Sequence, residues 1–93
     1  MPARRLVIEG RVQRVGYRDW AVRTAKSAGL SGWVRNLNDG RVEILAIAPE
    51  ESMIDAFVEQ CHEGPASATV TRIDNGPTVE PKNVKGFTKR FTA

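Results

Sequence analysis

The sequence predicts an α+β sandwich, one sheet carrying two helices on a single face, and three observations lead there. Hydropathy alternates with period two in several separate stretches and switches to a helical period in two others. The two helical stretches share one apolar template, i, i+1, i+4, i+5 and i+8, offset by 33 residues: Trp20, Ala21, Thr24, Ala25 and Ala28, then Met53, Ile54, Phe57, Val58 and Cys61. With 93 residues there is room for one hydrophobic core, so residues 1–93 are expected to form one domain.

The elements follow in order. Leu6, Ile8, Gly10 and Val12 alternate with Val7, Glu9 and Arg11, a strand with one buried face. A helix is expected from Arg18, stopped by Gly29. Gly32 to Leu37 reads as a second strand, and Asn38-Asp39-Gly40 supplies an Asp-Gly hairpin turn into a third, Arg41 to Ala48, with Val42, Ile44, Ala46 and Ala48 on one face. Pro49-Glu50-Glu51 opens the second helix, with proline in the first turn and two acids at the positive end of the dipole, and Gly64-Pro65 closes it. Ala68 to Asp74 is the fourth strand; Val70 and Ile73 fall on opposite faces of a regular strand, which points to a bulge. Asn75 to Gly86, rich in Pro and Gly, reads as loop, and Phe87, Lys89 and Phe91 form a short last strand. The order β-α-β-β-α-β plus a tail strand is the split βαβ, or ferredoxin-like, arrangement with an antiparallel sheet.

Charge is distributed unevenly. The net charge is +3, yet residues 1–41 hold nine basic and three acidic side chains, while residues 42–93 hold five and eight. Eight of the nine are arginines, whose planar fork suits phosphate and carboxylate, so an anionic ligand is expected near the N-terminal half. A solvated basic face without a ligand is the alternative.

Several chemistries are excluded by what the chain lacks. Cys61 is the single cysteine, leaving no intrachain disulfide or cysteine metal cluster, and its place on the apolar stripe suits an inert buried thiol. A thiol phosphatase of the Cys-x5-Arg type would need Arg at position 67, which is Ser67. His62 is the single histidine and has no sequence-visible partner. There is no Gly-Lys-Ser/Thr loop and no Gly-x-Gly-x-x-Gly run, and the acids are scattered, so neither a cofactor nor a metal is expected. No apolar stretch reaches the ~18 residues of a membrane span, and Met1 to Arg5 does not lead into a signal peptide; a cytoplasmic monomer without membrane or nucleic-acid partners is expected. RNA binding on the sheet is disfavoured because the first and third strands lack stacking aromatics.

The segment Gly10-Arg11-Val12-Gln13-Arg14-Val15-Gly16-Tyr17-Arg18 remains. Two glycines bracket it and it enters a helix, so its successive N–H groups can curl into an anion nest backed by the helix dipole. A cation such as Arg18 at a helix N-terminus is unfavourable unless an anion lies between them. Asn36, near the hairpin turn, carries an acceptor and donors enough to hold a water, although Asn at such a place more often satisfies backbone.

Together these segments resemble the acylphosphatase family. Its loop, Gly-x-Val-Gln-Gly-Val-x-Phe/Tyr-Arg, is matched by Gly10, Val12, Gln13, Val15, Tyr17 and Arg18, and its Gly-Trp-Val-x-Asn signature with the following turn by Gly32, Trp33, Val34, Asn36, Asp39 and Gly40. The resemblance covers nearly the whole chain and implies the ferredoxin-like fold and hydrolysis of small-molecule acyl phosphates to carboxylate and inorganic phosphate. It implies that Arg18 and the backbone of Gln13, Arg14, Val15, Gly16, Tyr17 and Arg18 bind the phosphoryl group, and that Asn36 positions the attacking water. Arg14 departs from the family's glycine. Either the loop accommodates it with the side chain outward, the favoured reading, or phosphate binding weakens. A non-catalytic anion-binding module of the same fold is the alternative function.

Overall fold

The computed structural model describes all 93 residues. The elements are β1 (Ala3–Arg11), α1 (Tyr17–Ser27), β2 (Ser31–Asn36), β3 (Val42–Ile47), α2 (Glu51–Glu63), β4 (Thr69–Pro77) and β5 (Phe87–Lys89). The sheet runs β4-β1-β3-β2-β5, the ferredoxin-like arrangement expected from the periodicities.

The helix-facing core is built by the residues that the alternation selects. Leu6 and Ile8 of β1, Val34 of β2 and Val42, Ile44 and Ala46 of β3 pack with Ala21 and Ala25 of α1 and Ile54, Phe57, Val58 and Cys61 of α2. Trp20 and Thr24 of α1 and its C-cap Ala28 are half-buried, and the fully buried stripe is Tyr17, Ala21 and Ala25. Gly29 follows the end of α1 as expected. Pro49 lies just before the helix start, with Glu50 at the N-cap and Glu51 in the first turn of α2. The predicted bulge is present: Glu9 pairs Arg72 and Gly10 pairs Val70, leaving Thr71 unopposed. That extra residue turns both Val70 and Ile73 onto the main core.

Three expectations are corrected. Asn75 to Pro77 belong to β4, paired with Leu6, Arg5 and Arg4, and are not loop. β4 is an edge strand, where Pro and Gly are tolerated because one row of backbone groups faces solvent. The last strand ends at Lys89, and Phe91 stands 96% exposed, whereas Phe87 is buried edge-on against Phe57 at 6.2 Å between ring centroids. β5 runs parallel to β2, so the sheet is mixed. The chain leaving β4 crosses the sheet face away from the helices, where Val84 packs on the Ala3, Leu45 and Ile47 cluster, and enters at the opposite edge.

Candidate active site

The β1–α1 loop ends on two left-handed residues, Arg14 at φ 62 and Gly16 at φ 78. Gly16 is the N-cap of α1 and offers no side chain to the first turn. The first helical N–H with a partner is that of Trp20, on Gly16 O at 3.0 Å, and the N–H groups of Gln13 to Asp19 donate to no protein acceptor. These are consecutive backbone donors without a protein acceptor, at the positive end of a helix.

The loop is held from its flanks. Gln13 Nε2 donates to Leu37 O and to Arg41 O, both at 2.8 Å, tying the loop to the β2–β3 hairpin. Ser67 Oγ donates to Val15 O at 3.1 Å. Tyr17, 1% exposed, donates its hydroxyl to Cys61 O at 2.6 Å, and burial above all drives its pKa up. Burial likewise pushes the Cys61 thiol up to about 12, as the inert role requires. Gly64, at φ 64, sits under the tyrosine ring; a Cβ there would lie 2.8 Å from Tyr17 Cε2.

Arg18, on the first turn of α1, and Asn36, the last residue of β2, line one cavity of about 170 Å3 with Arg14, Gly16, Asp19 and Lys89. Arg18 makes no ion pair; its Nη1 reaches Arg90 O at 3.4 Å. Asn36 Oδ1 is buried with no hydrogen-bond partner. Gln13 and Val15 do not line the cavity, because their side chain and carbonyl are engaged with the hairpin and with Ser67. Tyr17 lines it while its hydroxyl points into the core.

Sequence motifs do not single out Asp19 and Lys89, which the fold brings to the same cavity. Lys89 Nζ lies 2.9 Å from Asp19 Oδ1, and the hydrogen bond from Lys89 holds the Asp19 carboxyl below its ordinary range. Alternation with buried Phe87 is the available signal, since it puts Lys89 on the helix side of β5. The cavity thus gathers three cations against one carboxylate, and its arginine, open N–H groups and free amide acceptor are what an anion and one water need.

The acylphosphatase family model matches residues 4–89. The chain is 42% identical over 92 residues to the acylphosphatase of Acidiphilium cryptum, covering 99% of each, and 51% identical over 69 residues to that of Methylococcus capsulatus, covering 74% of each. Its fold superposes on the crystal structure of acylphosphatase from Bacillus subtilis with a TM-score of 0.90 at 37% identity, covering 97% of this chain and 99% of that one.

Proposed function

From the acylphosphatase family, to which this chain belongs, we propose the following course for its hydrolysis of small acyl phosphates. The phosphoryl group sits in the β1–α1 cradle, its oxygens on the Gln13–Arg18 backbone and the Arg18 guanidinium. Asn36 Oδ1 accepts a hydrogen bond from a water, aiming that oxygen at phosphorus. The new P–O bond forms in line as the bond to the acyl oxygen breaks, the electron pair leaves on the carboxylate, and a proton of the attacking water ends on the phosphate product or in solvent. A carboxyl group ionises near pH 4, so it departs at neutral pH without a general acid.

The single observation carrying this reading is the orphaned Asn36 Oδ1, which belongs to a residue lining the same cavity as Arg18. A buried acceptor without a partner costs about 1–3 kcal/mol, and a bound water removes that cost. All these groups come from one chain, so the cradle needs no residue from a partner subunit; a cytoplasmic monomer acting on a small acyl phosphate, with neither nucleic acid nor membrane as partner, is the setting proposed with it.

Benzoyl phosphate hydrolysis, followed by ultraviolet absorbance, tests the assignment. Loss of one preorganised donor costs ~10²–10³ in rate, so Arg18→Ala should lose at least that. Full turnover in that variant, or none in the parent protein, would refute these roles; loop NMR shifts with phosphate but no turnover would favour the binding module.

A further inference from the structure

The sheet face turned away from the helices carries a second pocket, of about 410 Å3, within the size range of small-molecule sites. Trp33 lies in it with two guanidinium groups on its ring, Arg35 Cζ 4.7 Å and Arg90 Cζ 5.0 Å from the centroid. Beside the ring, the Glu43 carboxylate is 4% exposed and accepts from Arg5 Nε and from Arg35 Nε, the latter at 2.6 Å. Both of those arginines reach Glu43 through Nε, and their Nη donors have no protein acceptor. Arg90 has no acid within ion-pair distance. Leu45, Val79 and Pro81 complete the walls.

Three planar cations against one carboxylate leave a surplus of two positive charges over an apolar, aromatic floor. A bare inorganic anion would use the charge and waste the floor, while a neutral apolar molecule would do the reverse. We propose that this pocket binds an organic carboxylate with a flat apolar body, separately from the phosphoryl cradle. The carboxylate would take the free Nη donors and the Arg90 fork, and the body would lie against the edge of the arginine-capped Trp33 and beside Val79 and Pro81. Charge complementarity with the arginine surplus selects this occupant. Its class matches the carboxylate that the reaction releases, and the two sites meet at one residue: Arg90 covers Trp33 with its side chain while its carbonyl accepts from Arg18. The binding claim itself stands independently of the hydrolytic reading.

The test is an NMR titration of the Trp33 indole N–H with benzoate, inorganic phosphate being held in excess to fill the cradle. A ligand of this size on an open pocket should bind at about 1 mM. Benzyl alcohol, the same ring without the charge, should leave the signal in place. Arg90→Gln should weaken benzoate about fivefold, the scale of one exposed charge pair, and Glu43→Gln should tighten it about as much by releasing Arg5 and Arg35. Arg90 is exposed, so its variant should fold even if Glu43→Gln does not. An unmoved indole, an equal response to benzyl alcohol, a shift abolished by phosphate, or undiminished affinity in Arg90→Gln would each overturn the proposal.

Discussion

Two groups of arginine lie on opposite sides of β2, and they differ in what is left unsatisfied. On the helix side, Arg18 has no acid, the neighbouring N–H groups have no acceptor and Asn36 has no donor. On the open side, Arg5 and Arg35 close on the buried Glu43, and Arg35 and Arg90 stack on Trp33. In the first arrangement the buried acceptor, Asn36 Oδ1, is unpaired; in the second the buried acceptor, the Glu43 carboxylate, is paired twice. Polar groups that secondary structure has positioned but not paired therefore distinguish the proposed reacting site better than the density of charge does.

The largest effect should come from Arg18→Ala, and the comparison adds a condition to the loss of ~10²–10³ in kcat/KM. Because Arg18 holds little of the fold together, urea unfolding should move by no more than about 0.5 kcal/mol. Glu43→Ala should reverse this profile. It leaves two guanidinium groups without their buried acceptor, although both can reach water, so about 1–3 kcal/mol of stability should be lost in urea unfolding. Comparable stability losses in both variants would erase the distinction between the two sides.

The sequence made the first side more readable than the second, for a local reason. Gly16, Arg18 and the nest lie within one short segment, and the i+4 stripes of both helices need only local spacing to be recognised. Pairings across long separations left weaker traces. Asn75-Gly76-Pro77 has the composition of a turn and becomes strand only because β1 offers an edge, and β5 finds β2 in parallel across more than fifty residues. Lys89 reaches Asp19 by the same long-range pairing, and the burial of Tyr17 depends on the Cys61 carbonyl in α2. The burial of Asn36 Oδ1 depends likewise on how loop and strand close together.

A smaller effect should separate Asp19 from the other cavity groups. The hydrogen bond from Lys89 lowers the Asp19 pKa, so the pair is intact above the ordinary carboxylate range and is lost as pH falls through the lowered folded value. At neutral pH Lys89 is thus engaged. Asp19→Asn frees it for the substrate anion, and KM for benzoyl phosphate should fall about two- to fivefold at low salt, with the gain shrinking as salt is added. An unchanged KM would mean that Lys89 is outside the substrate's field.

The smallest effect probes strain and not charge. Arg14 holds φ 62, a left-handed conformation that costs an L-residue roughly 1–2 kcal/mol. The loop has therefore kept the backbone geometry that a glycine would give, and the arginine bears the cost within it. Arg14→Gly should relieve that strain, while the freer unfolded chain takes back about 0.5–1 kcal/mol. The balance is a gain of up to about 1.5 kcal/mol, or up to about 12 °C in Tm for a domain of this size. Thermal and urea unfolding of Arg14→Gly would measure it. A loss of stability instead would show that contacts of the arginine side chain outweigh its backbone strain, and the cradle side would then share the self-satisfied character of the Glu43 side.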